Sequence, residues 1–428
     1  MSSPLSIIDF PSEITSVIFL HCVEGEVNDW GDQKLPGLFE DAAPLLLLRI
    51  CRQWRTVALS TPELWTSIQV HCPYDIEAIV PRLDRWLLRA GSLPLNINLH
   101  YLTYPETSSE GILQLLKRHS GQLQTLTLDT LPQEYFRIHE IAGPLPALKT
   151  IFLTCRGFSD YARFCGMKLN AFSDAPVLRD VQFLGHFHPA TIALPWAQLT
   201  NFNANYLSIS ECLQVLSLSP NLVIARFDYS RTAGSRTVGS HHAVPPLLHL
   251  ESLTLRGMEP SGDILRHLTT PALIHLDVEE VDVETWKAFI ARSGCVLERL
   301  SFAGWTSSYK EYLDGVPSVT ELKVRRLGRG FSEIVQVLGS ELDFLPNLKT
   351  FNEDPCGSVK KLEKGAELAR LLVDMLETRY NSPQTARLER FEYCMTEGLM
   401  GSAGLLERIQ VLVADGMTVY IRGSKSWV

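Results

Sequence analysis

The sequence predicts an α/β protein in which a small all-helical module precedes an irregular repeat domain, with parallel strands inside and helices or loops outside. Three observations predict this class. A short apolar pattern recurs along most of the chain, segments of helical periodicity lie between its copies, and the first seventy residues lack the pattern. We therefore divide the 428 residues into a helical module at 1–70, a linker helix at 71–92 and a repeat domain with a carboxy-terminal cap at 93–428.

The helical module is predicted to contain two apolar helical runs. Pro11 opens the first run, where a missing amide proton costs no hydrogen bond, and Ile14, Val17 and Ile18 fall on one face of it. Pro62 is predicted to end the second run. That run has large side chains at three- and four-residue steps: Leu47, Ile50, Cys51 and Trp54.

Two further segments connect the module to the repeats. Residues 24–43, EGEVNDWGDQKLPGLFEDAA, are acidic and turn-rich and form an insertion between the two helical runs. Trp86 and Leu87 fall on the predicted linker helix. The stretch PLNINL from Pro94 alternates as a strand does, which indicates a first, atypical repeat.

The repeated pattern is an apolar residue followed by apolar residues three and five positions later, L-x-x-L-x-L. Most copies are 21 to 30 residues apart, which fits one strand and one return segment per unit, as in leucine-rich repeats. Six copies carry proline two positions before the first apolar residue, where it cannot extend the preceding segment. The eleven copies begin at Leu123, Leu148, Leu178, Leu199, Leu222, Leu250, Leu273, Leu297, Val319, Leu348 and Leu388.

Several of the helical segments between the copies start with a capping residue. Ser208 or Ser210, with Glu211, and Asp282, with Thr285 nearby, resemble N-terminal turns in which a side-chain oxygen accepts from free amide groups. A unit of about 25 residues cannot bury its apolar face alone, so the units should stack into a curved solenoid. The tail beyond about Val411 fits no repeat and is expected to cap the open end.

Composition excludes several classes of function. The net charge of -9, from 39 basic and 48 acidic residues, gives no field that would attract nucleic acid. No apolar run reaches the roughly 18 to 20 residues of a membrane span, and Asp9 and Glu13 interrupt any signal peptide, so we expect a cytoplasmic and/or nuclear protein. Nine scattered cysteines without a C-x-x-C pair indicate buried, reduced thiols.

Residues 10–68 resemble an F-box. The matching pieces are FPSEITSVIFLHC, RICRQWRTVA and TPELW, in this order. Phe10 replaces the leucine that usually precedes Pro11, and the insertion at 24–43 is normally short or missing. A divergent box followed by irregular leucine-rich repeats is typical of fungal F-box proteins of the basidiomycete type.

The resemblance implies the substrate-recognition subunit of a Skp/cullin/F-box ubiquitin ligase, a non-catalytic monomer within a complex. The module would bind a Skp-type adaptor, and through it a cullin, while the repeats bind an unidentified protein substrate. The alternative is a leucine-rich-repeat scaffold that meets no ligase, in which these residues only pack the module against the first repeats. Carried over by position, the adaptor-binding residues are Pro11, Ile14, Ile18, Ile50, Cys51, Leu64 and Trp65.

A second binding surface is predicted on the concave face of the repeats. The residue between the last two apolar positions of each copy points away from the core. The later copies place charges of both signs there, which suits a protein partner better than a small-molecule pocket, although an ordinary solvated strand face is the alternative. The predicted substrate-binding residues are Phe152, Arg226, Asp277 and Lys323 at these positions, and His275 and Arg299 two positions earlier in their strands.

Other motifs give weaker signals. His241-His242 lie in a Gly/Ser/Pro-rich loop without a third ligand, so we expect no metal. The basic cluster KVRRLGRG, with Lys323, Arg325, Arg326 and Arg329, would suit an acidic motif or phosphopeptide, or is simply a solvated strand edge. No catalytic motif is found, so we expect no cofactor; an enzyme would need a deep polar pocket with convergent titratable groups.

Overall fold

A computed structural model describes residues 10–23, 35–72, 78–101, 110–130, 136–141, 143–155, 169–185, 189–229, 243–257, 260–303, 309–325, 330–354, 365–394 and 403–422. The chain divides into two compact units, Met1–Asn205 and Tyr206–Val428. Both units contain parallel strands that alternate with helices, as the sequence predicts for an α/β repeat protein.

The first unit opens with three helices. Phe19 of the first packs against Trp54 of the third, with ring centroids 5.0 Å apart. The second helical run predicted from the sequence is interrupted at Cys51, whose backbone is extended and whose Sγ accepts from the Trp54 amide at 3.5 Å. Cys51 therefore caps a separate helix. The helices are α1, Ser12–Val23; α2, Leu47–Ile50; and α3, Arg52–Leu59, followed by a 3-10 helix at Pro62–Trp65.

Six strands follow in the order in which they occur along the chain. Each pairs in parallel with its sequence neighbour. The strands are β1, Ser67–Cys72; β2, Leu95–Tyr101; β3, Leu123–Thr130; β4, Thr150–Cys155; β5, Asp180–Leu184; and β6, Asn201–Leu207. Helix α4, Val80–Arg89, lies between β1 and β2, and α5, Glu110–Arg118, between β2 and β3.

The sheet begins earlier than the predicted boundaries. Ser67 already pairs with Asn96, so β1 belongs to the same sheet as the repeats. Helix α4 is therefore the return helix of a strand–helix unit, and the predicted division at 70 and 92 is corrected. The sequence analysis missed β1 because SIQVHC lacks the leucine spacing.

Part of the insertion at 24–43 covers the outer edge of β1. The Gln69 amide donates to the Pro36 carbonyl at 2.8 Å, and Gly37 forms a bridge with Gln69. Arg82 of α4 donates to the Leu38 carbonyl at 2.7 Å. Because an unpaired edge strand can pair with other chains, this cover is expected to protect the edge from association. Residues 24–34 of the insertion lie outside the described residues.

The second unit continues the alternation with eight strands, again parallel and in chain order. The strands are β7, Ile224–Tyr229; β8, Ser252–Gly257; β9, His275–Val278; β10, Arg299–Ala303; β11, Glu321–Arg325; β12, Thr350–Asp354; β13, Arg390–Cys394; and β14, Thr418–Arg422. The helices are α6, Ile209–Leu218; α7, Gly262–Leu265; α8, Val283–Ser293; α9, Lys310–Leu313; α10, Gly330–Ser340; α11, Gly365–Asn381; and α12, Ala403–Ala414.

The eleven copies of the apolar pattern coincide with the eleven strands β3 to β13. β3 starts at the first residue of its copy, and the others start two residues later. The strand prediction is therefore confirmed. The prediction for the tail is corrected, because the tail does not only cap the end. Strand β14, which follows α12, adds one more strand to the sheet. The leucine residues of the pattern are buried, and each contributes about 1.5–3 kcal/mol when fully buried.

Both predicted helix caps are present. Ser208 and Glu211 form a capping box at the start of α6. Asp282 accepts from the Thr285 amide at 2.8 Å at the start of α8. α8 ends at Gly294, whose φ of 59° is one that residues with a side chain rarely adopt.

Candidate functional site

The outward positions of the pattern form one row in each unit. In every strand pair for which a register is resolved, these positions are direct partners across the sheet, which confirms that they share a face. The row in the first unit is Thr127, Phe152, Gln182 and Asn203. The row in the second unit is Arg226, Thr254, Asp277, Ser301, Lys323, Asn352 and Glu392.

The six predicted substrate-binding residues divide between the two units. Phe152 lies in the first unit on β4, half-buried. The other five lie in the second unit on β7, β9, β10 and β11. Among these five, Arg226 and Arg299 are exposed, His275 and Lys323 are half-buried, and Asp277 is only 4% exposed.

Asp277 lies at the centre of a buried charge cluster. Arg256 of β8 donates to Asp277 Oδ2 through Nη2 at 2.7 Å, and Arg325 of β11 donates to Asp277 Oδ1. Arg325 also donates to Glu279 at 3.1 Å. Strand β10 lies between β9 and β11, so the Arg325 side chain crosses β10 to reach these carboxylates. The residue of β10 that pairs with Arg325 in register is Ala303, which has a small side chain.

The cluster corrects two sequence predictions. The Asp277 carboxylate is buried and engaged by two arginines of the same chain, so it is not a free outward charge as the sequence analysis predicts. Arg325 of the basic cluster is buried against Asp277 and Glu279, and therefore does not offer a free charge. Arg326 and Arg329 lie outside the described residues. The sequence analysis missed Arg256 and Glu279 because it considered the position between the last two apolar residues and the position two before it, whereas these two residues lie two positions after it, where alternation also places an outward side chain.

Arg226, His275 and Arg299 form a second group on the same face. Burial, and then the positive charge of Arg299, lower the pKa of His275, so its imidazole is neutral at pH 7. Ser252 Oγ lies 3.2 Å from His275 Nδ1. Within the described residues, Arg226 and Arg299 make no ion pair, although the exposed Glu321 lies beside Arg299 in register.

Exposed apolar side chains concentrate in and around the amino-terminal helices. Seven of the sixteen large apolar residues that are exposed in the described parts of the chain lie between residues 10 and 59: Phe10, Ile14, Val17, Phe39, Leu46, Ile50 and Leu59. Ile14 and Ile50, two of the predicted adaptor-binding residues, are each about half exposed. Pro11 is exposed, and Ile18 and Cys51 are half-buried.

Leu64 and Trp65 do not belong to this surface. Both are buried, and Trp65 donates to the Ala58 carbonyl at 3.0 Å. The Trp65 ring meets Trp86 of α4 edge-on at 5.0 Å, and Arg89 lies 4.4 Å over the Trp65 ring. Their assignment as adaptor-binding residues is corrected, because their side chains join the helical module to the first strand–helix unit.

The described residues include free cysteines but no candidate metal site. No group of three His, Cys, Asp or Glu in that part of the chain could hold a metal ion, and the His241-His242 pair lies outside it. No helix in the same part is long and apolar enough to cross a membrane. Cys212 is buried, and burial raises the pKa of its thiol. Cys22 is exposed, so the expectation of buried thiols is wrong for that residue.

No protein-family model matches the chain, and no curated protein is significantly similar to it. The function must therefore be inferred from the two surfaces described above.

Proposed function

We propose that the protein is the substrate-recognition subunit of a Skp/cullin/F-box ubiquitin ligase and performs no chemistry itself. The observation that supports this proposal is the exposed apolar surface of the amino-terminal helices. An F-box binds its adaptor through such helices, and residues 10–68 resemble an F-box in sequence. The complex would act in the cytoplasm and/or the nucleus, with the protein as a monomer within it.

Both sides of α1 carry apolar residues, but the two sides differ in burial. Thr15 and Phe19 face inward, whereas Ile14 and Val17 are exposed to water. Burial of a large aliphatic side chain contributes about 1.5–3 kcal/mol, so a few such residues can dominate an interface. The proposed adaptor-binding set is therefore Pro11, Ile14, Val17, Ile18 and Ile50, with Cys51 acting through the cap of α3.

The open face of the second unit is proposed to bind the substrate. Arg226 and Arg299 are exposed on β7 and β10, with the neutral His275 between them on β9. Opposite charge across an interface increases the rate of encounter and the selectivity for one partner. We therefore infer that the recognised segment of the substrate carries carboxylates.

Co-purification with a Skp-type adaptor tests the proposal. The full chain should recover the adaptor, and Ile14→Asp combined with Ile50→Asp should reduce recovery by about tenfold or more, because a buried unpaired carboxylate is costly. Leu248→Asp combined with Val296→Asp is the matched control, since both residues are exposed aliphatic side chains of the second unit. Circular dichroism of each variant checks its fold.

Two outcomes would contradict the proposal. The wild-type chain could recover no adaptor, or the amino-terminal pair of substitutions could leave recovery at the level of the control pair. Either result favours the alternative, a repeat scaffold that does not meet a ligase. Substitution of Leu64 or Trp65 is unsuitable here, because both side chains are buried within the chain.

A further inference from the structure

Three titratable side chains form a row across the first three strands of the sheet. His71 of β1 lies beside His100 of β2 in register, and His100 lies beside Asp129 of β3. The two imidazole rings are stacked, with centroids 5.3 Å apart and planes 16° from parallel. Nδ1 of His100 is 3.7 Å from Oδ2 of Asp129, whose side chain is buried. The proposed ligase function uses none of these residues.

Few other charged groups surround the two rings. In the described part of the chain, the remaining outward positions of β1 to β4 carry only Ser, Thr, Asn, Gln and Phe side chains. The segment that covers the edge of β1 contributes Glu40 and the exposed Asp41. Glu40 is paired with Arg49 at 3.0 Å, and Arg82 of α4 donates to the Leu38 carbonyl. Proton uptake by both rings would therefore place two positive charges side by side, with one buried carboxylate to offset them.

The folded protein favours the neutral form of His71. Partial burial, and then the positive charge of His100, lower the pKa of His71 from its usual value of 6.5. His71 Nε2 accepts from the Gln69 side-chain amide at 3.2 Å, which requires that this ring nitrogen carry no proton. Because the folded pKa is below the unfolded value, the stabilisation is present above about pH 6.5 and is lost as the pH falls from there through the folded pKa.

Strand β1 connects the helical module to the rest of the sheet. One residue separates Trp65, at the end of the 3-10 helix, from the start of β1. Six residues of β1 pair with β2, whereas the described contacts on the other edge of β1 are those of Gln69 with Pro36 and Gly37. Strands at the edge of a fold open at a lower cost in free energy than central ones. A loss of pairing between β1 and β2 would therefore also loosen the helices that precede β1.

We propose that the stacked pair of His71 and His100 makes the pairing of β1 with β2 sensitive to acid. Histidine takes up its proton within the physiological range of pH, and a second proton on this pair places like charges opposite each other. Like charges on directly opposed residues destabilise a strand pair. In acid, β1 and the helical module that leads into it are held less firmly, while the central strands keep their pairing.

Histidine NMR signals of the full chain test the coupling between the two rings. The signal of His71 is assigned by its loss in His71→Gln, and its midpoint is measured in a pH titration. The pKa of His71 should lie below that of a free histidine. It should rise in His100→Gln, because the neighbouring positive charge is removed. A midpoint that is the same with and without His100 would overturn the proposal.

Hydrogen exchange tests the consequence for β1. Protection of the β1 and β2 amides is compared at pH 7 and about pH 5.5, after correction for the intrinsic exchange rates. The wild-type chain should lose several-fold more protection in acid than His71→Gln, which lacks the titrating ring. His249→Gln is the matched control, since His249 is an exposed histidine of the second unit, and it should respond as the wild type does. Equal acid responses of the wild type and His71→Gln would contradict the proposal.

His71→Phe separates the charge from the stacking. Phenylalanine keeps a ring against His100 but takes up no proton, so this variant should be protected like the wild type at pH 7 and respond to acid like His71→Gln. If His71→Phe keeps the acid response of the wild type, the charge is not its source and the proposal fails. Circular dichroism at pH 7 checks each fold, and if one variant is unfolded the other decides. Adaptor binding enters none of these measurements, so their outcome is independent of the proposed ligase function.

Discussion

The buried side chain of Arg379 connects α11 to the end of α10 and the segment that follows it. Its side chain is 1% exposed, and its guanidinium donates to four backbone carbonyls. Leu338 lies in the last turn of α10, where carbonyls have no donor within the helix. The other three acceptors follow the helix, and two of them, Glu341 and Leu345, also accept from the Phe344 and Leu348 amides. Burial lowers the pKa of Arg379 to about 10, so the group stays charged at neutral pH. The four acceptors are the carbonyls of Leu338, Glu341, Phe344 and Leu345.

Replacement of Arg379 should therefore be among the costly substitutions in the second unit. Arg379→Met keeps much of the apolar stem but removes every donor, so we expect a loss of about 3–5 kcal/mol in the free energy of unfolding. Arg118→Met is the control, because Arg118 forms only an exposed pair with Asp84; its expected cost is below about 1 kcal/mol. Urea denaturation at pH 7 measures both, and similar costs would contradict the assigned role of Arg379.

Helix α8 illustrates how much of an element local sequence can specify. Helix α8 begins after Asp282, as residue type and spacing predict, and ends at Gly294; both caps depend on near neighbours in the chain. Hydrogen bonds from Thr285, followed by contacts with Arg266, lower the pKa of Asp282. The folded pKa is thus below the unfolded value, so the stabilisation is present above about pH 4 and is lost as the pH falls through the folded pKa.

Asp282→Ala should therefore have a pH-dependent cost. At pH 7 we expect a loss of about 1 kcal/mol in the free energy of unfolding, and a smaller loss when the carboxyl of the wild-type protein is protonated. Asp282→Asn keeps an acceptor oxygen for the Thr285 amide and should cost less at pH 7, with little dependence on pH. Denaturation series at pH 7 and about pH 3 compare the three proteins. A cost that is the same at both pH values would exclude the charge as its source.

Elements without a local signature were the ones that the sequence could not predict. The strands β3 to β13 carry the apolar spacing, whereas β1 and β14 rely on Ile, Val and Tyr without it and are recognised only by pairing. The row of outward side chains on the strands could be predicted, because successive residues of a strand alternate between its two faces. The reach of Arg325 to Asp277 and Glu279 depends on the register of β9, β10 and β11, which no single segment contains.

At the scale of the whole molecule, the strands of each unit pair with their neighbours in the chain. Stability in such an arrangement is approximately a sum of unit and nearest-neighbour terms, so a lesion should affect mainly the units beside it. Compact globular folds behave differently, because distant segments share one core. The long stretch of repeats therefore predicts local, position-dependent responses to substitution.

Hydrogen exchange can measure this locality with two reciprocal lesions. Arg379→Met should increase exchange most in peptides from β11 to β13 and least in those from β1 to β3. Trp86→Leu should do the opposite, because Trp86 packs on Trp65 and donates to its carbonyl at 3.0 Å. Mass spectrometry of each variant and the wild type gives the exchange of every peptide. If either substitution raises exchange equally along the chain, the molecule unfolds as one cooperative body, and the nearest-neighbour description is wrong.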